Sequence, residues 1–231
     1  MSFTVALIGA DGAGKTSIGH RLESGYHRPV RYMYMGVNAG AGTHMLPTTR
    51  ALRSLKRLRG QAEYHGPPPE MAAPAAVRAP RRPPLRRVLA AARAAARTTN
   101  LLAEEWYRQG VAALHRRRGR IVVFDRHFLA DYHAHDMTAG RGQPWGRRLH
   151  GAVLRRLYPR PDLVLFLDAS PQVLLARKGE GDLQSLARRR SDYLATAAEW
   201  PRFRRIDADG SIEDVFSAVC RELDTLTGEV A

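Results

Sequence analysis

The chain has 231 residues, with 37 lysines and arginines against 22 acidic residues, a formal charge of +15 and 44% hydrophobic residues. That is enough sequence for one large domain with a full hydrophobic core. The single cysteine, Cys220, excludes an internal disulfide and points to a reducing cytoplasm, while the short first apolar run lacks a basic leader, so neither secretory signal nor membrane span is expected.

Thr4–Ile8 is a run of apolar and β-branched residues that reads as a buried strand. It runs into Gly9-Ala10-Asp11-Gly12-Ala13-Gly14-Lys15-Thr16 and then Ser17. The spacing is G-x-x-x-x-G-K-S/T, set between a strand and a helix expected to reach about Leu22. Glycines there let the backbone curl so that successive N–H groups face phosphate oxygens, and the helix N-terminus adds partial positive charge at the same spot. Lys15 can reach the β- and γ-phosphates, and the Thr16 hydroxyl can ligate Mg²⁺. Residues Asp11, Gly12, Ala13, Gly14, Lys15, Thr16 and Ser17 are therefore the expected cradle of a nucleoside triphosphate.

A turn over 25–29 leads to a second strand, Val30–Met35, and a glycine-rich loop over 36–42. A basic helix is expected over about 46–58, with Pro47 at its start. Prolines at 67, 68, 69, 74, 80, 83 and 84 then rule out regular structure in a basic Pro-, Ala- and Arg-rich insertion of about 60–86. Leu85–Arg118 reads as a long helix with Leu101, Leu102, Glu105, Trp106, Gln109, Ala113 and Leu114 on one face. Residues 50–118 hold 16 basic and 4 acidic residues. Such a stripe suits nucleic acid, but no aromatic platform interleaves regularly with the arginines. A surface that meets phosphorylated substrates accounts for it, and nucleic acid is not the expected partner.

Ile121–Asp125 and Asp162–Asp168 are continuous apolar runs ending in an acid, the profile of central parallel strands buried on both faces. Ser170 and Pro171 supply an N-cap and a first-turn proline for a helix to Arg177. Asp182 opens another helix with Leu183, Leu186, Arg190, Tyr193, Leu194 and Ala197 on one side. Phe203–Ile206 is the last strand, and Ser211 with Asp214 marks the start of the final helix. Strands alternating with helices imply an α/β fold with a parallel sheet.

Asp125-Arg126-His127 falls at the carboxyl end of its strand, where ligands of parallel sheets gather. Asp125 can hold Mg²⁺, directly or through water, or accept the proton of an attacking hydroxyl; Arg126 can bind the acceptor or the transferred group. His127, Asp131, His133, His135 and Asp136 invite a metal reading, but no second cluster completes four ligands. Contact of His127 or Asp131 with an acceptor is the expectation instead.

These motifs, with Leu167-Asp168 followed by Arg177 and an arginine-rich helix, resemble the thymidylate kinase family of P-loop nucleotide kinases. The resemblance covers about 1–35 and 100–225. It implies a single kinase domain over 1–231, a three-layer sandwich with sheet order 2-3-1-4-5 and helices on both faces, and a lid over about 177–190. It also implies ATP and Mg²⁺, with Asp125 and Arg126 organising metal and phosphates. Some members carry an arginine where Gly12 stands; members with glycine there supply that cation from the lid, so Arg177, Lys178, Arg188, Arg189 or Arg190 takes the role. Consecutive helical residues point about 100° apart, and Arg177 and Arg189 are favoured.

The family's acidic-proline signature after the second strand is absent; Tyr34-Met35-Gly36 stands there. Candidate acceptor contacts are Tyr34, Arg93, Arg97, Asn100, Glu104, His127 and Asp131, with the two arginines for a phosphate and Asn100 and Glu104 for hydroxyls. The expected activity is transfer of the γ-phosphoryl of Mg-ATP to a small-molecule acceptor, a nucleoside monophosphate. The alternatives are a kinase for a nucleoside, sugar or other hydroxyl-bearing metabolite, a nucleic-acid-associated NTPase, and a regulatory nucleotide-binding module without turnover. Monomer and homodimer both stay open.

Overall fold

The computed structural model describes residues 1–36, 46, 47, 49, 50, 54, 84–127, 129, 156–179 and 182–228. The glycine-rich loop beyond Gly36, the insertion up to residue 83, and Asp131, His133, His135 and Asp136 lie outside the described residues. The chain forms two compact units. One comprises Met1–Gly36, Ala112–Arg141 and Pro159–Ala231; the other comprises Val37–Val111 and Gly142–Tyr158.

The first unit is built on a five-stranded parallel sheet of order β2-β3-β1-β4-β5, as the family resemblance implies. Its strands are β1 (Thr4–Ile8), β2 (Val30–Tyr34), β3 (Ile121–Asp125), β4 (Leu163–Asp168) and β5 (Phe203–Asp207). Every residue of β1, β3 and β4 is buried, which is why these read as unbroken apolar runs. In β5 only Ile206 is buried, and Arg204 and Arg205 are exposed. Charged residues on an edge strand discourage pairing with another chain.

Odd-numbered positions of β1, β3 and β4 (Val5, Leu7, Val123, Leu165 among them) share one core with α1 (Lys15–Gly25) and the C-terminal helix. The other face carries Phe166, whose ring stacks on Tyr193 at 5.6 Å and meets Phe203 at 6.1 Å. The long helix α2 (Pro84–Arg117) precedes β3. Beyond β4 come α3 (Pro171–Lys178), α4 (Leu183–Ala195) and α5 (Ile212–Thr227). Their caps are those the sequence announces: Ser170 accepts from Val173 N, Asp182 forms a capping box with Ser185, and Ser211 accepts from Asp214 N. Residues 47, 49, 50 and 54 are helical. Among the described residues no helix is long and apolar enough to cross a membrane.

The expected faces need correction in two helices. On α2, Glu105 and Gln109 are buried as expected, but Trp106 and Leu114 are exposed and Glu104, Arg108 and Ala112 are buried instead. The acids and Arg108 face one another at 3.6 Å, so ionic groups go inward as pairs. On α4, Leu186 and Tyr193 are buried while Leu183 and Leu194 are exposed.

Candidate functional site

Parallel pairing aligns the strand ends on which the site is built: Leu7 lies opposite Asp125, Ile8 opposite Phe166 and Tyr34 opposite Asp125. The chain leaves β1 through Gly9, at φ 146°, where an added Cβ would stand 2.6 Å from the Leu167 carbonyl oxygen. Gly14, at φ 85°, is the N-cap of α1, with no side-chain cap and no acidic residue in the first turn. The N-terminus of α1 therefore meets the loop with its partial positive charge uncompensated. Lys15 is buried, and its Nζ donates to the carbonyls of Gly9 and Ala10 at 2.7 and 2.9 Å.

Asp125 ends β3 completely buried. Its Oδ2 accepts two hydroxyls, Thr16 Oγ1 at 2.6 Å and Tyr32 at 2.8 Å, while Oδ1 is buried without a hydrogen bond. Burial, with the Asp125 carboxylate beside it, raises the Tyr32 phenol well above its ordinary pKa, so Tyr32 remains a donor. Thr16 is exposed. Because its hydroxyl proton points to Asp125, its lone pairs are left for a cation. A bare carboxylate oxygen, a hydroxyl with outward lone pairs and a glycine loop at a helix start form a donor set that suits Mg²⁺ with phosphates, since Mg²⁺ takes oxygen ligands and keeps several waters.

Asp11 lies among cations. Its Oδ1 accepts from Arg126 Nη2 at 2.6 Å, and Oδ2 is 3.9 Å from Lys178 Nζ. Burial works to raise the Asp11 carboxyl, but the charges of Arg126, Lys15, Lys178 and Arg189 outweigh it and hold the group below its usual value. Arg126 sits at φ 60°, a conformation that non-glycine residues adopt at a cost. Its guanidinium lies 6.0 Å from the centre of the Tyr34 ring. Gly36 makes room for that ring, since a Cβ there would come within 2.4 Å of the Tyr34 hydroxyl.

The arginines over 177–190 divide by their partners. Arg177 donates to the carbonyls of Ala208, Asp209 and Gly210 at 2.8, 3.3 and 3.0 Å. Expected as a phosphate cation, it is held instead by the turn after β5, because three carbonyls converge there. Arg190 makes a two-point contact with Asp168 at 2.6 and 3.0 Å, and Arg205 shares that carboxylate. Arg188 and Arg189 are exposed, and the charge of Arg189 reaches Asp11. A cavity of about 380 Å³ lies beside the glycine loop, lined by Gly12, Gly14, Ser17, Arg177, Ser211 and Val215 among others.

His127 does not stand open at the strand end. Its ring is completely buried, 5.3 Å from the Phe124 ring and 6.5 Å from that of Trp200. Burial depresses it to about 3, so the imidazole is neutral at physiological pH. A ring enclosed on this scale packs against the sheet in this conformation.

The remaining described candidates, Arg93, Arg97, Asn100 and Glu104, belong to the second unit. Arg93 and Asn100 are exposed on α2, and Arg97 is part of the same helix. Asn100 Nδ2 donates weakly to Thr49 Oγ1 at 3.4 Å. Glu104 is buried, accepts from Thr49 Oγ1 at 2.8 Å and faces Arg108 at 3.6 Å. Beside it Glu105, accepting from the Tyr158 hydroxyl at 2.9 Å, is pushed up to about 7, chiefly by burial.

Sequence reasoning passed over Tyr32. The available signal was Gly19, a glycine inside the first helix, where it lowers helix stability and so implies a packing reason. A Cβ at Gly19 would fall 2.4 Å from the Tyr32 ring.

No family model matches the chain. Among solved structures it is similar to a thymidylate kinase from Candida albicans, with 16% identity over 99% of this chain and 94% of that one, at a TM-score of 0.58. Together with the strand order and the loop geometry, that likeness shows a thymidylate-kinase-like P-loop fold.

Proposed function

We propose that the chain is an ATP-dependent phosphotransferase that moves the γ-phosphoryl group of Mg-ATP to a small-molecule acceptor, a nucleoside monophosphate. The observation that carries this reading is Asp125: it is buried, its Oδ2 accepts from Tyr32 and from Thr16 in the uncapped first turn of α1, and its Oδ1 has no hydrogen bond. A buried carboxylate oxygen with no hydrogen bond is costly unless a cation meets it. Mg²⁺, when bound, would be held by Thr16 and Asp125, directly or through water, and would offset the negative charge of the phosphates.

The chain's own groups do the rest by position and charge. The amides from Asp11 to Ser17 bind the phosphates, and Lys15 exchanges the carbonyls of Gly9 and Ala10 for phosphate oxygens. The base and sugar of the nucleotide occupy the 380 Å³ cavity, with the guanidinium of Arg177 fixed in its wall. Arg126 steers the acceptor phosphate, and Arg189 supplies the cation that Gly12 lacks. Arg93 and Arg97 are the proposed acceptor-phosphate contacts on α2, and Asn100 a hydroxyl contact. A hydroxyl-bearing metabolite is the second reading, favoured by Tyr34 folded onto Gly36 where the acidic-proline signature is missing.

The test is ADP release over a panel of nucleoside monophosphates, nucleosides and sugars, with and without Mg²⁺. Fastest Mg²⁺-dependent release with a nucleoside monophosphate supports the first reading, and with a hydroxyl acceptor the second. Release with neither refutes both.

A further inference from the structure

Asp125 can act on a metal only if its carboxylate is fixed, and the backbone of β3 does not fix it. Two hydroxyls do so, one from the first turn of α1 and one from β2. Thr16 stands in the first turn of α1, directly after the glycine loop, and is exposed. Tyr32 belongs to β2, is 8% exposed, and is hydrogen-bonded to the same Oδ2 at 2.8 Å. Its ring lies in a notch on α1 that exists because residue 19 is glycine, and the His20 ring packs 4.3 Å from its centre. Its backbone N–H also donates to Glu23 Oε1 at 3.3 Å, tying the strand to that helix.

We propose that Tyr32 is a positioning residue for the metal centre: seated over Gly19, its hydroxyl holds Oδ2 of Asp125 so that Oδ1 and the Thr16 lone pairs are presented to Mg²⁺. The inference rests on the phosphotransferase reading above. It is the outer-shell logic of metal sites, in which a partner behind the ligand sets the ligand's direction. Tyr32 touches neither nucleotide nor metal. Its removal therefore weakens the metal and spares the phosphate cradle.

The experiment measures Mn²⁺ affinity for the full chain with ADP, by electron paramagnetic resonance of free Mn²⁺, and ADP affinity without metal by calorimetry. Tyr32→Phe keeps the ring over Gly19 and loses only the hydroxyl. Expected is Mn²⁺ binding weakened by about tenfold or more, with metal-free ADP affinity unchanged. Gly19→Ala, which drives a methyl into the ring, is expected to reproduce the metal defect. Mn²⁺ affinity of Tyr32→Phe within about twofold of the parent overturns the proposal and leaves the kinase reading standing. An equal loss of metal-free ADP affinity also overturns it, because the role is then one of general packing. A parent chain that binds no Mn²⁺–ADP overturns the kinase reading itself.

Discussion

Thr16 Oγ1 donates to Asp125 Oδ2 at 2.6 Å, joining the first turn of α1 to the end of β3 across 109 residues of sequence. The bond couples the start of α1, next to the glycine loop, to the acid, so a ligand on one is felt by the other. It also fixes the direction of the Thr16 proton and with it the face of the hydroxyl left for a cation.

Asp125→Asn should separate catalysis from stability. The amide oxygen still accepts from Thr16 and Tyr32, but the charge is gone. Turnover with Mg²⁺ should fall by about 10²-fold or more. The melting temperature should hold or rise, because a buried carboxylate with one unsatisfied oxygen is itself destabilising. Steady-state ADP release and a thermal melt on the same preparation check both halves.

Lys15→Ala removes the only lysine of the loop. Turnover should drop by about 10²-fold or more, as expected when a group aimed at transition-state charge is lost. Two loop carbonyls lose their donor, at a cost of about 1–2 kcal/mol, and the fold survives. Circular dichroism and denaturant melts give the second quantity independently of activity.

Arg189 and Arg190 are neighbours with different expected phenotypes. Arg190→Ala strips Asp168 of a two-point partner and should destabilise by about 1–3 kcal/mol in urea melts. Arg189→Ala should leave the melt unchanged and lower kcat. Burial works to raise the Asp168 carboxyl, but Arg190 and Arg205 hold it below its usual value. Its contribution is therefore present above the unfolded-state pKa of about 3.9 and is lost as pH falls through the lower folded value. In Arg190→Ala the acid limb of the stability profile should move to higher pH.

Glu105 should act in the opposite sense. Its folded pKa of about 7 exceeds the unbound value of 4.5, so the folded chain holds a proton that the unfolded chain releases. Stability contributed by this group falls as pH rises from 4.5 to about 7, and the deficit is complete above that. Glu105→Gln should flatten that part of the profile, so the variant gains on its parent between pH 4.5 and about 7 and keeps a constant margin above that. Urea midpoints across that range, parent and variant side by side, provide the check.

Local chemistry made much of this legible. Ser170, Asp182 and Ser211 cap their helices because a short oxygen side chain satisfies an amide three residues on, and three residues lie within one turn. Trp106 and Leu114 misled, since hydrophobicity assigns a face only where apolar groups alone are buried. On α2 the inward stripe is Glu104, Glu105, Arg108 and Gln109, whose burial depends on one another and on Tyr158. Arg177 looked like a free cation because the carbonyls that hold it come 31 to 33 residues later.

The amino-acid order by itself determined the strands, the caps, the glycine loop with Lys15 and Thr16, and the acid at the end of β3, because each depends on contacts within a few residues or on an unbroken apolar run. Only the tertiary structure decided which partners those groups keep in this conformation: Tyr32 on Asp125, three carbonyls around Arg177, and an enclosed ring for His127. Those choices are made by groups that parallel crossover connections bring together from 31 to 109 residues away, and no local pattern records a contact over such a span.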